Sequence, residues 1–265
     1  MTSPGTVPVR LALCVEYDGS AFHGWQAQTD PRLPTVQESL EKALSSVADH
    51  PVRVHCAGRT DTGVHAIGQV VHFETSSIRP LRAWVHGVNS MLDKHVAVLD
   101  AVAVDDVFHA RFSALSRRYR YRISNKSVRP VLEANFLTHH HLPLDENAMH
   151  EAGQLLLGER DFTSYRGGAC QSKTPMRNVT SLQVYRAGDE VVMEIEANAF
   201  LLHMVRNIVG VLMVIGEGRQ PPRWAGEVLA ARDRTMAAVT APPNGLCLVK
   251  VSYPAKYQLP WNQSG

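Results

Sequence analysis

The sequence predicts an α+β protein: two similar-sized mixed α/β halves, sheets flanked by helices, and a cleft between them. Three observations carry this. Segments with period-two hydrophobicity alternate with segments of helical period in both parts of the chain. Their order lacks the regular βαβ rhythm of a doubly wound sheet. The 265 residues, 45% hydrophobic, suffice for one large domain or two modest ones. A boundary near residue 105 divides the chain into 1–105 and 106–265.

In "VRLALCVEYDG", Val9, Leu11, Leu13, Val15 and Tyr17 share one face of a strand that stops at Asp18-Gly19. "TVQESLEKALSSVA" reads as a helix. Thr35 and Glu38 have capping-box spacing, and Val36, Leu40, Leu44 and Val47 form its apolar stripe. "IGQVVHFET" is a strand directly after a glycine-bounded loop. Residues 82–92 have helical spacing with Trp84, Val88 and Leu92 inward, and "HVAVLDAVAV" is a strand. In the second half a basic strand comes first. Asp145 caps a helix running to Gly158, and "SLQVYRAGDEVVMEIEA" is a hairpin turning at Ala187-Gly188-Asp189. "FLLHMVRNIVGVLMVIGEG" is a long apolar helix, "RWAGEVLAAR" a short one and "GLCLVKVSY" a last strand. No short-period repeat is evident.

Composition removes several function classes. Charged residues make up 20%, as in ordinary soluble proteins, and no apolar run reaches membrane-spanning length. The start, "MTSPGTVPVR", lacks a signal-peptide core and reads as a short loose leader. Cys14, Cys56, Cys170 and Cys247 are far apart with no CxxC pair, which fits a reduced cytoplasm and opposes a zinc site. His139 to His141 are adjacent, do not share a face and read as surface residues. Net charge is only +2, but "FHARFSALSRRYRYRISNKSVR", residues 108–129, holds seven Lys or Arg and no acid. That is either an electrostatic footprint for phosphate or a solvated charged strand.

Three constellations carry chemistry. In "AGRTDTGVHA" an aspartate, Asp61, sits between glycines with Arg59 two residues away, and an adjacent guanidinium favours an ionised carboxylate. Asp61 reads as a nucleophile or base, or as a turn residue bonding its own backbone. The triplet Asp61-Thr62-Gly63 also matches aspartic proteases, but no second copy exists to share the proton. In "SRRYRYRI", Arg118, Arg120 and Arg122 share one strand face, suited to phosphate or carboxylate partners. Tyr119, Tyr121 and Ile123 share the other, where a ring can stack on a base or simply on its neighbours. Arg206, inside the apolar "HMVRNIVG", is costly to bury unpaired. No acid lies one turn away, so it either snorkels or takes a partner from elsewhere, with Asp61 a candidate.

These stretches together resemble the TruA family of tRNA pseudouridine synthases. The resemblance rests on "YDGSAFHGWQAQ", "GRTDTGVHA", "FHARFSALSRRYRY", "GERDFTSYR", "ANAFLLHMVRNIVG" and "APPNGLCLVKVSYP", six motifs in family order over residues 10–254. Thr62 stands where the family more often has Ala, and Asp93 and His95 where it usually has Pro and Asp. The resemblance implies the pseudouridine synthase fold and a cytoplasmic homodimer without cofactor or metal. The implied activity is isomerisation of uridine to pseudouridine in the anticodon stem-loop of tRNA, at positions 38, 39 and 40. It implies that Asp61 is the catalytic aspartate, Arg206 its paired arginine, Arg59 the loop arginine that helps displace the target base, and Tyr119 the substrate tyrosine. Arg118 and Arg120 flank Tyr119 as expected substrate-binding residues. A competing reading keeps the fold and the basic strand but makes the chain an inactive tRNA-binding, chaperone-like protein.

Overall fold

A computed structural model describes residues 8–28 and 33–262. The expected leader therefore lies, through residue 7, outside the described residues. The described residues form two compact units, one of those up to residue 115 with those from 248 onward, and one of residues 116–247.

The first unit is built on strands in the order β4-β1-β3-β10: β1 Val9–Tyr17, β3 His65–Thr75, β4 Val96–Val104 and β10 Leu246–Ser252, whose first two residues belong to the second unit. A two-residue strand, β2 His55–Cys56, pairs with β3. β1 runs antiparallel to both β3 and β4. Leu11 to Val15 are buried without a break, so β1 has both faces covered where the sequence pattern pointed to one. Helix α1, Val36–Ala48, starts where the capping pattern places it, with the Thr35 side chain accepting the Glu38 N–H. Val36, Leu40 and Leu44 are buried, while Val47 is only half-buried. The expected helix near 82–92 holds a π-helical turn, Ala83–Gly87. It buries Trp84 edge-on against Phe73 at 5.3 Å and also buries Val88, but Leu92 stays half-exposed.

The second unit is a sheet in the order β5-β9-β8-β7: β5 Ser116–Ser124, β7 Gly158–Asp161, β8 Met176–Ala187 and β9 Glu190–Ala197. Each neighbouring pair in that order is antiparallel, and the two-residue β6, Thr138–His139, runs parallel to β5. The β8–β9 hairpin pairs Ala187 with Glu190 across Gly188 and Asp189. Gly188 takes φ +59°, which a two-residue hairpin loop requires of its first residue. Helix α2, Glu146–Gln154, is capped by Asp145, which accepts N–H bonds from Asn147 and Ala148. It ends short of the expected Gly158, whose φ of +86° opens β7 instead. Helix α3, Met204–Gly216, starts after His203, four residues later than the apolar run, and α4 spans Trp224–Ala231.

The histidine run differs from its expected surface placement. His139 and His140 are half-buried, with His139 Nε2 2.9 Å from the Lys126 carbonyl and His140 Nε2 3.2 Å from Glu217 Oε1. Among the described residues no helix is long and apolar enough to cross a membrane, and no cluster of His, Cys, Asp or Glu is placed to hold a metal.

Two tests follow from this packing. Asp145→Ala removes the α2 cap and lowers unfolding free energy by about 1 kcal/mol in urea titrations. In the first unit His72 is buried against His55 and His109, with ring centroids 5.0 and 4.6 Å away. Burial, with those rings and Arg10 nearby, pushes His72 down to about 3. A histidine neutral when folded takes up its proton on unfolding. Stability is therefore full above the ordinary histidine range and falls as pH drops from there toward 3, by up to ~1.4 kcal/mol per pH unit. The acid-side loss of wild type minus that of His72→Gln should show this slope.

Candidate active site

Asp61 lies half-buried in the loop between β2 and β3, with Arg59 exposed beside it and Thr60 buried. The loop turns by a Val64 N–H bond to the Asp61 carbonyl and a φ of +79° at Gly63. Its approach is fixed from three sides, all within the first unit. From β3, the carboxamide of Gln69 donates to the Gly58 carbonyl at 2.6 Å and accepts the Gly58 N–H at 3.4 Å. The same Nε2 donates to the Tyr17 hydroxyl at 3.3 Å, which in turn meets Thr60 Oγ1 at 2.8 Å. From the segment after β1, the Trp25 N–H donates to the Thr60 carbonyl at 3.0 Å. Gly24 lies so close that a Cβ there would stand 3.0 Å from the Thr60 carbonyl oxygen, 3.2 Å from the Thr62 nitrogen and 3.3 Å from the Asp61 carbonyl carbon. Gly19 is equally constrained, because a Cβ on it would collide with the Val64 carbonyl. The motif "YDGSAFHGWQAQ" is thus the seat of the Asp61 loop.

The unusual Asp93/His95 segment joins this seat. The Asp18 N–H donates to the His95 carbonyl at 2.9 Å, and His95 Nδ1 lies 3.3 Å from Asp18 Oδ2. Burial works against the Asp18 carboxylate. Bonds from the Ser20 side chain and N–H, with His65 and His95, nevertheless hold it below the usual aspartate range.

In the second unit Arg206 occupies the first turn of α3, half-buried, and its Nε donates to the Ala241 carbonyl at 2.8 Å. The Ala241 N–H returns to the Arg206 carbonyl at 3.1 Å. Next to it Asn207, fully buried, anchors the helix. It donates to the Tyr165 carbonyl at 2.8 Å and accepts from Thr240 at 2.7 Å and Arg234 at 3.1 Å. The "GERDFTSYR" motif and residues 240–241 are therefore tied to the turn that carries Arg206. Tyr119 is buried on the inner face of β5, edge-on to Phe200 at 5.1 Å. Tyr121, fully buried, is fixed by its hydroxyl to Thr138 at 2.6 Å and to the Pro242 carbonyl at 2.8 Å.

The outer face of β5 uses carboxylate partners from the chain itself. Arg118 pairs with Glu196 at 2.8 Å and Arg120 with Glu194 at 2.7 Å. Arg122 grips both oxygens of Glu190, at 2.8 and 2.9 Å. Arg117 is buried and donates to the Asn198 carbonyl at 2.8 Å, while Lys126 reaches Asp189 at 3.1 Å. Five of the seven basic residues in the run are thus engaged within the second unit. Arg177, another basic residue, is buried against Ser172 and backbone carbonyls. The positive footprint is correspondingly smaller than the linear sequence indicated. Sequence reasoning missed Gln69, Tyr17 and Asn207 as positioning groups. For Gln69 one signal was present, a carboxamide amid the apolar residues of a predicted strand.

Residues 13–113 and 152–254 match the model of the tRNA pseudouridine synthase family. The chain is 54% identical over 252 residues to tRNA pseudouridine synthase A of Tolumonas auensis, covering 95% of this chain and 96% of that one. It is 57% identical to tRNA pseudouridine synthase A of Cronobacter sakazakii, covering 95% and 93%. With the protein of that name from Coxiella burnetii the identity is 53%, covering 95% of each. The chain belongs to the tRNA pseudouridine synthase family.

The seat of the loop gives a direct test. Gly24 has a φ of +89° and backbone of the Asp61 loop in near contact. Gly24→Ala should lower stability by about 1–2 kcal/mol, measured by urea unfolding, because L residues resist that conformation and the loop must give way.

Proposed function

We propose that this chain isomerises uridine to pseudouridine in the anticodon stem-loop of tRNA, at positions 38, 39 and 40, with Asp61 as the catalytic carboxylate. Membership of the tRNA pseudouridine synthase family makes it an isomerase of tRNA uridine. The observation that supports Asp61 as the catalytic carboxylate is the way its loop is fixed at Gly58 and Thr60 while Arg59 stays exposed. A reactive carboxylate benefits from such preorganisation.

The chemistry requires little else. The bond between N1 and C1′ breaks, the base turns, and C5 bonds to C1′. C5 gives up its proton and N1 ends protonated, so product and substrate are isomers. A carboxylate serves this rearrangement as a nucleophile at sugar or base, or as a base for a sugar proton. The target nucleotide must first leave the stack, which costs a few kcal/mol. Arg59, exposed at the loop, is the side chain proposed to fill the vacated space. Tyr119 is proposed to hold the flipped base, and Arg206 to act with the carboxylate. Arg118 and Arg120 are proposed as supporting RNA contacts. Each spends its Nε edge on a glutamate, and their side chains remain 46% and 43% exposed. A cytoplasmic homodimer working without a cofactor completes the proposal.

Mass spectrometry of an anticodon-arm fragment, after incubation of tRNA with pure protein and no added cofactor, tests the activity and the positions. Asp61→Asn should keep tRNA affinity within about threefold and reduce product at least a thousandfold. Activity within tenfold of wild type would overturn the role of Asp61. Tight tRNA binding by the wild type with no pseudouridine formed would favour the inactive, chaperone-like reading.

A further inference from the structure

We infer that Gln69 is a positioning residue of the reaction, acting through the backbone of the Asp61 loop and through Tyr17. The inference rests on Asp61 being the catalytic carboxylate.

Gln69 is fully buried on β3, on the same strand face as the buried Val71 and Phe73. A carboxamide in such a place is costly unless its donors and acceptor are used. Here both ends of the amide are committed to one residue, Gly58, three positions before Asp61. The carboxamide therefore mimics a neighbouring strand at the point where the chain leaves β2 and has no strand left to pair with. The second contact of Nε2, with the Tyr17 hydroxyl, extends the hold to Thr60 Oγ1, the residue directly before Asp61. Gly58 is thus held by Gln69 directly and Thr60 through the Tyr17 hydroxyl, while Arg59 between them projects into solvent. Nothing in core packing requires this, since a Met of similar volume would fill the space. What a Met cannot do is bond the Gly58 backbone and hold the Tyr17 hydroxyl that meets Thr60.

A misplacement of about 1 Å in a reacting group lowers the rate of the chemical step on the order of a hundredfold. Binding of tRNA, spread over many contacts, is far less sensitive. The expected signature is a loss in kcat with little change in KM or tRNA affinity.

Three variants test this in the full chain at a temperature where circular dichroism shows each folded. Gln69→Met should lower kcat between tenfold and a hundredfold and leave tRNA affinity within threefold. Tyr17→Phe, which removes only the relay hydroxyl, should lower kcat by threefold to tenfold, and it decides the matter should Gln69→Met not fold. Gln69→Glu supplies a signature that simple packing would not. Its ionised form sets an oxygen against the Gly58 carbonyl, whereas its protonated form can donate there and still accept from the Gly58 N–H. Burial raises the pKa of such a carboxyl. The kcat of Gln69→Glu relative to wild type should therefore rise as pH falls from 8 to 6. A folded Gln69→Met or Tyr17→Phe with wild-type kcat would overturn the inference, as would a pH-independent ratio for Gln69→Glu. Asp61→Asn is run alongside. If it stays active, the assignment of Asp61 fails. If it is dead while the Gln69 and Tyr17 variants are unimpaired, only the positioning role fails.

Discussion

The loop that carries Asp61 must leave regular secondary structure without leaving its backbone unpaired. The pairing of Gly58 with the Gln69 carboxamide meets that requirement. β3 supplies the amide, β1 supplies Tyr17, and the segment after β1 brings the Trp25 N–H and two glycines into near contact with the loop. Remove the amide and Gly58 loses its side-chain partner, while the bonds at Thr60 and the glycine contacts remain. The closeness of Gly19 and Gly24 is the steric counterpart of the same constraint, because only residues without a Cβ let two backbones come so near.

The second unit solves a related problem for a cation. An arginine in the first turn of an apolar helix requires partners, and the chain provides a carbonyl for Arg206 at Ala241. Asn207, one residue on, uses both ends of its amide to tie the helix to Tyr165 and Thr240. In both units a buried carboxamide ties down the segment that carries a residue expected to do the chemistry. A neutral amide offers donor and acceptor at once and introduces no charge to compete with a catalytic group.

Much of the fold was legible in the sequence because it followed from local rules. Thr35 and Asp145 mark helix starts, Gly188 marks a hairpin, and the alternation in "SRRYRYRI" correctly separated Tyr119 and Tyr121 from Arg118, Arg120 and Arg122. Non-local facts were not legible. Period two shows that Arg118, Arg120 and Arg122 share a face, but not that β9 lies alongside with Glu190, Glu194 and Glu196 on it. Read along the chain, residues 108–129 are a cationic run. Read across the sheet, most of that charge is matched. The helix at Met204 also began later than its apolar pattern, since the apolar run includes Phe200 to Leu202, which precede the helix, with Leu201 buried there. Motif residues such as Asp61 stood out through their neighbours in sequence, whereas Gln69 and Asn207 gain their meaning from partners in other elements.

The composition of the first unit has a consequence for synthesis. Its residues 1–115 are made first, yet its sheet is unfinished until β10 arrives after the whole second unit. Val249 sits against Gly68, the Ser252 carbonyl takes the Leu115 N–H, and the Tyr253 hydroxyl bonds to the Ala110 carbonyl. On the ribosome the contiguous second unit can close as soon as it emerges. The unit bearing Asp61 waits with the β10 edge of β3 uncovered. A nascent or truncated chain that lacks β10 therefore carries Asp61 on a sheet without its last strand.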